Sequence, residues 1–559
     1  NNINGVNGSI RNNQRFEWLN ENTLTYTKRF NRSHRLEAMA GMTYQGIRNT
    51  SDGFSAIQVP NEELGIYGLA QGLPLENFIG ASENRLQSFF ARVNYNYKSK
   101  YLLTATMRAD GSSKFAPGNR WGYFPSAAFA WRMAEERFLK NVDAVTDAKL
   151  RISYGVTGNN RVSDFAYLPS IEWSDLASYS FNNTRYFGLN MDRLSNPNLK
   201  WESTAQFNIG YDLGLFEDRI NFVFDWYRKT TYDLLLNAEL PYTTGYSRAF
   251  KNIGRVRNEG LEFSLNTVNF KGKHFTWGSG FNISFNRNKI MALNEDQSNM
   301  LSRITSFVTR MAEEPLYIAE VGKPAAMFYG LIWDGVYQYN DFDEVSPGVY
   351  VLKNNVPTNG DTRNVIQPGD IKYKDINGDG VVDANDKTVI GRALPIHVGG
   401  FTNNFSYKGF DLNVLLQWSY GNDLMNANRL IFEGNATNVH HFNQFANWAN
   451  RWTPENQSNT LFRVGGAGPQ VMSSRTIEDG SYLRLKTVSL SYNIPQSLLK
   501  RVKINALSFN VAAQNLLTWT KYSGMDPEVS VHNTVLTPGF DFSAYPHART
   551  IVFGIKARL

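Results

Sequence analysis

The chain has 559 residues, of which 42% are hydrophobic and 19% are charged, so its composition excludes a mainly disordered state. The net charge of +7 is spread without a basic stripe, which argues against nucleic-acid binding, and the absence of cysteine excludes disulfides and thiolate chemistry. No apolar run reaches the roughly 20 residues of a transmembrane helix. A place in a membrane would therefore have to come from strands.

Apolar and polar residues alternate with period two along most of the chain, as in 89–98 and 410–420. This pattern predicts strands with one apolar and one polar face. Most of the predicted strands have ten or more residues, which is long for a soluble sheet and suited to a tilted membrane strand. We predict about fifteen strands, at 16–30, 34–48, 85–98, 101–109, 121–132, 148–157, 201–213, 219–232, 256–268, 274–286, 399–407, 410–420, 482–494, 504–518 and 549–559.

The connections between these strands alternate between short and long. The short ones lie at 31–33, 98–100, 214–218, 269–273 and 408–409. The largest loops are predicted at 49–84, 158–200, 287–398, 421–481 and 519–548. Short periplasmic turns and long extracellular loops are the signature of outer-membrane barrels. The pattern therefore predicts an all-β protein, a transmembrane antiparallel β-barrel in the outer membrane of a Gram-negative cell.

The same alternation predicts the orientation of both chain ends. The last strand follows a long loop, so Leu559 is expected in the periplasm, whereas residues 1–15 precede a strand that ends in a short turn and are expected in an extracellular loop. Bacterial single-chain barrels have even strand numbers. We therefore expect the chain to be the C-terminal portion of a larger barrel, with an odd number of strands elsewhere in the protein.

One segment, 375–386, matches the pattern of an EF-hand calcium loop, with Gly380 at the sharp turn and Val382 placed to anchor the loop to a core. Asp386 replaces the usual Glu at the last ligand position. The alternative is a metal-free turn stabilised by Asp and Asn side chains. The predicted calcium ligands are Asp375, Asn377, Asp379, Asp383 and Asp386, with Val381 contributing its carbonyl.

Aromatic side chains in the long loops could stack on sugars, although packing of the loops against one another is the commoner role of such residues. The residues in question are Trp333, Tyr337, Tyr339, Trp448 and Trp452. We find no pair of carboxylates that stands out as a glycosidase pair and no Ser/His/Asp arrangement, so no catalytic residue is predicted. The substrate-contacting residues are not predicted by the sequence.

Seven stretches of the chain, in family order, resemble the SusC/RagA-like TonB-dependent outer-membrane transporters of Bacteroidetes. The stretches are RADGSSKFAPGNRWGYFPSAAFAWR (108–132), LRISYGVTGNN (150–160), NPNLKWESTAQFNIGYDLGLF (196–216), VGKPAAMFYGLIWDGVYQ (321–338), PGDIKYKDINGDGVVDANDK (368–387), NRWTPENQSNT (450–460) and NLLTWTKYSGMDPE (515–528). Together they are specific to this family, whereas most of them are weak signals alone.

The resemblance implies a 22-stranded barrel with an N-terminal plug, a size class that is known to be plugged. The plug and roughly seven strands would then lie outside this chain. It implies import of oligosaccharides or oligopeptides driven through TonB, ExbB and ExbD, a SusD-like surface lipoprotein as a lid, and a dimer of such pairs as a further assembly. The alternatives are a passive porin, or a secreted all-β protein that binds or hydrolyses glycans.

Overall fold

The computed structural model of the chain describes residues 5–239, 242–246, 248–293, 297–304, 314–434, 443–466, 472–500, 504–531 and 534–558. Strands dominate these ranges, and no helix in them is long and apolar enough to span a membrane. The α-helices are α1 Arg137–Lys140, α2 Asn428–Phe432 and α3 Gln496–Leu499. The 3₁₀ helices are Glu62–Gln71, Met133–Glu135, Tyr242–Thr244, Tyr339–Asp341, Ala384–Asp386, Ala446–Asn450 and Ser474–Thr476.

The strands are numbered in chain order. Those of the first half are β1 Gly8–Arg29, β2 His34–Ile57, β3 Leu73–Tyr97, β4 Tyr101–Ser112, β5 Trp121–Arg132, β6 Val145–Asn159, β7 Ser170–Phe181, β8 Thr184–Leu194, β9 Glu202–Leu215, β10 Ile220–Tyr232, β11 Leu235–Glu239, β12 Arg248–Asn252, β13 Arg255–Lys271 and β14 Phe275–Ala292. Those of the second half are β15 Asn299–Arg303, β16 Pro315–Glu320, β17 Met327–Gly330, β18 Trp333–Val336, β19 Phe342–Ser346, β20 Val349–Leu352, β21 Ile371–Tyr373, β22 Thr388–Arg392, β23 His397–Tyr407, β24 Phe410–Tyr420, β25 Asp423–Asn426, β26 Ile477–Asp479, β27 Tyr482–Asn493, β28 Ala506–Thr520, β29 Phe540–Asp541 and β30 Thr550–Arg558.

The longest strands form one sheet of fifteen, in which each strand pairs with the sheet strands before and after it in the chain. The order is β1-β2-β3-β4-β5-β6-β9-β10-β13-β14-β23-β24-β27-β28-β30. This confirms the predicted strands, because each predicted range overlaps one strand of the sheet. An antiparallel sheet of sequence neighbours follows from hairpin connections, since a short turn places the next strand beside the last one.

The two faces of the sheet differ as the alternation predicted. On β3 and β4, Phe89, Val93 and Leu103 are 45%, 43% and 49% exposed, so the described residues leave this apolar face uncovered. On the opposite face, Thr104 Oγ1 donates to Asn94 Oδ1 at 2.9 Å, and Asn94 Nδ2 donates to Glu37 at 3.2 Å. The polar side chains thus satisfy one another across the strands, while the apolar side chains are left for lipid.

The first three strands are longer than the sequence predicted. Residues 49–84 were predicted to be a loop, but β2 continues to Ile57 and β3 begins at Leu73, with Ser51 opposite Gly80. Likewise Gly8 pairs with Ala56, so much of the segment 1–15 belongs to β1 rather than to a loop. The alternation of apolar residues ends earlier than the strands do because backbone hydrogen bonds continue a hairpin whatever its side chains are.

The chain divides into two compact units, which are described separately. The first comprises Asn1–Glu136, Lys149–Ile209 and Lys229–Arg255, and the second comprises Arg137–Ala148, Gly210–Arg228 and Val256–Leu559. In the first unit the segments between the long strands form a four-stranded sheet with the order β11-β12-β8-β7. Nearby, Phe115, Phe124 and Trp201 pack into a small core.

Among the described residues of the second unit, three hydrophobic cores form outside the long strands. One forms around Leu316, Phe328 and Met425, a second around Trp448, Trp452 and Phe462, and a third around Tyr337, Phe342 and Leu352. Short strands organise them, including the sheet β15-β16-β17-β22 and the sheet β26-β25-β29. The described parts of the long segments 287–398, 421–481 and 519–548 are therefore folded structures with their own interiors.

Candidate functional site

A cavity of about 1290 Å³ lies among segments 421–481 and 519–548, within the second unit. Its wall is built on the small sheet, in which β25 pairs with β26 antiparallel and with β29 parallel, Met425 lying opposite Phe540. Helix α2 follows β25 after Ala427. The fold thus brings two loops that are distant in sequence onto one scaffold, which is a common way to build a binding site.

The cavity wall includes a network of charges centred on Glu433, whose side chain is 2% exposed. Its carboxylate accepts hydrogen bonds from Arg429 Nε at 3.2 Å and from Asn447 Nδ2 at 2.8 Å, and it is paired with Arg475. Arg429 also donates to Glu478 at 3.1 Å. A buried carboxylate is stable only when such partners replace its water, so the network holds the wall in one geometry.

Asn426 lies in this wall and is 2% exposed. Its Nδ2 donates to Glu478 Oε1 at 3.2 Å and to Ser523 Oγ at 3.1 Å. Its Oδ1 is buried and has no donor among the described residues. Flipping the amide would place oxygen against the Glu478 carboxylate, so the orientation is determined by that contact. The wall therefore carries a buried acceptor that no described residue satisfies.

The rest of the wall combines planar polar groups with aromatic rings. The Phe432 and Phe445 rings lie 5.4 Å apart, and the Tyr545 ring is 91% exposed at the cavity. Tyr522 donates to Asp541 at 2.6 Å, and its burial, together with that hydrogen bond, raises the pKa of Tyr522 above its usual range. Rings that can stack beside amides and carboxylates suit a polar ligand with apolar faces, such as a sugar or a peptide.

A second cluster ties segment 519–548 to strand β27. Arg484, whose side chain is 2% exposed, donates to Asp526 at 2.5 Å and to Glu528 at 2.6 Å. His547 lies 2.8 Å from Asp526 through Nδ1. Burial acts to raise the pKa of Asp526, but hydrogen bonds from the Glu528 and His547 backbone and from Arg484 outweigh it and lower that pKa to about 2.

Asp526, Glu528 and His547 are the one set of three potential metal ligands that converges within the described part of the chain, their ligand atoms lying within 4.8 Å of one another. However, the Arg484 guanidinium already neutralises both carboxylates. A metal ion would have to displace this buried cation or share its partners. The cluster is therefore best understood as an ion-pair latch that fastens the loop.

The predicted calcium loop folds as a tight turn in the second unit. Asp375 accepts from the Gly378 N–H at 2.6 Å and from the Gly380 N–H at 2.8 Å, and both glycines have the positive φ that this turn requires, +78° and +82°. Val382 is 2% exposed and packs in the same core as Trp452, as predicted. The local geometry is thus common to an EF-hand loop and to a metal-free Asx turn.

The remaining predicted ligands are placed as follows. Asp386 is fully buried and accepts from Ile376 N at 2.7 Å and Asp383 N at 2.8 Å. Burial acts to raise its pKa, but the hydrogen bonds from the Asp383, Ile376 and Asn377 backbone outweigh it, so the pKa of Asp386 is lowered. The other side chains accept from the backbone two residues ahead. They are Asn377 at 2.9 Å, Asp379 at 2.9 Å and Asp383 at 2.7 Å.

The donor set fits a hard cation, because it consists of oxygens and each carboxylate keeps acceptor capacity beyond its backbone bonds. Val381 is placed with its main chain in the turn, its own N–H donating to Asp379 at 2.9 Å. In the described part of the chain, no three of these carboxylates have ligand atoms that all lie within 4.8 Å of one another.

The loop aromatics serve packing, in line with their commoner role. Tyr337, Trp448 and Trp452 are 0%, 7% and 5% exposed, and Trp333 and Tyr339 pack against the core that contains Trp452. None of them lines the cavity. The residues that do line it were not singled out from the sequence, because none of them forms a local motif. Lys521, Ser523, Gly524 and Met525 lie within the family-like stretch 515–528, which could have pointed to this region.

The chain is similar to known proteins along almost its whole length. The family model described as TonB dependent receptor-like, beta-barrel matches residues 1–343. TonB-dependent receptor P3 of Formosa agariphila is 34% identical over 549 residues, which cover 97% of this chain and 52% of the relative. TonB-dependent receptor SusC of Bacteroides thetaiotaomicron is 34% identical over 482 residues, 85% of this chain and 44% of SusC.

Among solved structures, the RagAB peptide transporter matches with a TM-score of 0.81 at 24% identity, over 99% of this chain and 56% of the matched chain. This likeness concerns the fold, and it includes the long-stranded sheet. The chain spans about half the length of the relatives that it matches. Members of this family are outer-membrane transporters rather than enzymes. The chain therefore belongs to the TonB-dependent receptor-like β-barrel family and lies in the outer membrane.

Proposed function

We propose that the protein containing this chain is an active importer of oligosaccharides or oligopeptides across the outer membrane. The observation that carries the proposal is the similarity to SusC, at 34% identity over 85% of the chain. The likeness of fold to the RagAB peptide transporter supports the peptide alternative at the level of architecture. Folded loops and a polar cavity among them suit a transporter that captures its substrate before moving it.

The proposal includes the partners of such an importer. A SusD-like surface lipoprotein would close over the long loops, and TonB, ExbB and ExbD would supply energy through a plug outside this chain. Dimers of transporter–lipoprotein pairs form a further part of the proposal. Purification of the full-length transporter from its native membrane, followed by mass spectrometry, is expected to recover a lipoprotein in stoichiometric amount. If no lipoprotein is recovered, the proposed lid would be excluded, but the proposed import activity would not.

Energy coupling is tested by uptake. Cells that produce the full-length protein are supplied with labelled oligosaccharides or labelled oligopeptides, before and after a protonophore collapses the proton-motive force. An active importer is expected to accumulate one of the two classes only while the force is present. Uptake that continues unchanged after the collapse would identify a passive porin, and extraction of the protein without detergent would point to a secreted glycan-binding protein.

We propose further that the cavity at Asn426 and Tyr545 contacts the substrate. Tyr545→Ala removes an exposed ring that supports no described neighbour, so it should weaken substrate binding several-fold while leaving folding intact. The matched control is Val535→Ala, which truncates a side chain that is 79% exposed in the same segment. Equal affinities of both variants, measured by isothermal titration with the imported substrate class, would exclude the cavity as the contact site.

We also propose that segment 375–386 binds calcium, which would stabilise its fold. The expected affinity is that of extracellular modules, with a Kd on the order of 10⁻⁴–10⁻³ M. Terbium luminescence of the full-length protein should titrate in this range and be competed by calcium. Asp375→Asn combined with Asp379→Asn should abolish the signal, whereas Asp361→Asn, just outside the segment, should not. A signal unaffected by the double variant would support the metal-free turn.

A further inference from the structure

A basic cavity of about 980 Å³ lies at the ends of three neighbouring strands in the second unit. Its charged lining residues on these strands are Arg228 on β10, Arg257 and Glu259 on β13, and Arg287 and Lys289 on β14. Arg392 on β22 also lines the cavity, so five cations face a single carboxylate. The substrate cavity proposed above has a different lining, so this site needs its own explanation.

These side chains belong to the apolar face of the sheet. On β10 the face that carries Phe224 continues, two residues at a time, to Arg228. On β13 the face that carries Phe263 continues to Glu259 and Arg257, and the Phe224 and Phe263 rings lie 5.2 Å apart. Arg228 Nε reaches Glu259 at 2.7 Å, which confirms that the two charged side chains share this face.

The opposite face of the same strands is polar. Tyr227 donates to Asn286 at 3.1 Å, and Asn288 donates to Asn258 at 2.9 Å. On β14, Arg287 and Lys289 alternate with these asparagines and therefore lie on the apolar side. Asn286 and Asn288 also contribute to the lining of the cavity at the strand ends. The charged side chains of the cluster nevertheless belong to the face that meets lipid, not to the face that lines the interior of a barrel.

The cluster also lies at one end of the strands, where they lead into long loops. β10 ends, β13 begins and β14 ends at long segments, and long loops are extracellular in outer-membrane barrels. The pairing of β14 with β23 stops at Phe285, and Arg287 and Lys289 come after it. Trp226 and Phe285 line the lower rim of the cavity. Aromatic residues followed by cations mark the boundary between hydrocarbon and headgroups.

The charges in the cavity are incompletely compensated. Glu259 is shared by Arg228 and by Arg257, whose NH1 lies 3.8 Å away. The buried Nε of Arg257 has no hydrogen-bond partner among the described residues. Arg287 and Lys289 are exposed and form no ion pair within the described ranges. An unpaired buried donor and two free cations in one concave site call for an anionic ligand with several acceptor oxygens.

We propose that this cavity binds the phosphorylated headgroup of a glycolipid in the outer leaflet. Guanidinium groups match phosphate geometry through paired N–H donors, and the lysine adds a point charge. The apolar face below the cavity, with Trp226 and Phe285 at its rim, would receive the acyl chains of the same molecule. A soluble anion would leave that neighbouring apolar surface uncovered, whereas the acyl chains of a lipid would cover it. A lipid is therefore the favoured occupant.

The test uses the full-length transporter in detergent, titrated with diphosphoryl lipid A and followed by native mass spectrometry. Replacing Arg228, Arg257, Arg287 and Lys289 together by Gln should weaken binding at least about tenfold, because each cation near a lipid surface contributes to the attraction. The matched control is Lys271→Gln with Lys273→Gln, which removes cations at the short-turn end of β13 and should leave affinity unchanged. Equal affinity of both variants would overturn the proposal.

A second variant keeps the test valid if the fourfold substitution does not fold. Glu259→Gln removes the one carboxylate of the cluster and should strengthen lipid A binding several-fold, a change opposite in sign to that of the cation variant. Weaker or unchanged binding would contradict the proposal.

Two further titrations distinguish a lipid phosphate from a soluble phosphate. Dephosphorylated lipid A should bind much more weakly, and millimolar inorganic phosphate should not displace the lipid; displacement by phosphate alone would identify a soluble-anion site instead.

Discussion

The long strands and the folded loops of the second unit handle apolar residues in opposite ways. On β28 and β30, Phe509, Val511 and Phe553 are 43%, 41% and 77% exposed. In the loops, Tyr337 and Phe462 are 0% and 1% exposed. The strands leave their apolar face to lipid, whereas the loops bury theirs in cores of their own. One chain thus contains a membrane part and a part that obeys the rules of a soluble domain.

Polar groups show the complementary difference. On the sheet, Asn510 donates to Ser489 and Ser491 across neighbouring strands, each at 2.9 Å, along the polar face. In the loops, charge is buried and paired, as in the contacts of Arg484 with Asp526 and Glu528. A buried ion pair is costly to break because the remaining charge has no water around it. The loops therefore depend on specific partners, and the strands depend on which face a residue occupies.

The largest expected effect is a cavity in a loop core. Phe462→Ala should destabilise the loop region by about 3–5 kcal/mol, because the ring is fully packed and lies 4.9 Å from the Trp448 ring. Hydrogen exchange should show faster opening of segments 421–481, with the strand amides still protected. Val464→Ala, which truncates a side chain 65% exposed nearby, should have little effect. Equal losses in both variants would show that the loops lack a core.

A charge on the apolar face of the sheet should have the next largest effect. Val511→Arg places a guanidinium against lipid midway along β28 and should cost about 2–4 kcal/mol in a bilayer. Asn510→Arg, one residue away, faces the polar side and should cost much less. Denaturant titration of the protein refolded into vesicles measures both. A larger loss from Asn510→Arg would reverse the assignment of the two faces.

Acid should destabilise the loops before the strands. The loss of stability should be smaller than the losses expected from the two substitutions above. The pKa of Asp526 is lowered to about 2, below the ordinary aspartate value of about 3.9. Its contribution to stability is therefore complete above about pH 5 and is lost as the pH falls towards 2, with a maximum of about 2 kcal/mol. Proteolysis of segment 519–548 should accelerate over this range. Asp526→Asn should be less stable at neutral pH, and its difference from the parent protein should shrink as the pH falls.

Much of the sheet could be predicted from the sequence because strand alternation is local. Each of the fifteen strands carries its own period-two pattern, and the turn lengths place neighbours side by side. The ends of β2 and β3 could not be predicted in this way. Their last residues, such as Ser51 and Gly80, pair through backbone groups, and side-chain patterns do not report backbone pairing.

The candidate site was less accessible to sequence analysis. The segment 375–386 was found because its ligands lie within one turn, and calcium binding there stays a prediction. The cavity at Asn426 and the latch at Arg484 join residues dozens of positions apart, and no local motif marks either of them. The basic cavity is also formed by residues that are far apart in sequence. Arg228, Arg257 and Arg287 meet only because their three strands pair.

The sequence by itself determined the strands, the faces of those strands and the family to which the chain belongs, because side-chain alternation and motifs are written along the chain. The tertiary structure decided where charges meet. Coulomb attraction and desolvation depend on distance and burial, and neither can be known until the loops have folded. This is why Arg484 and the cations at the strand ends become interpretable only in the folded protein.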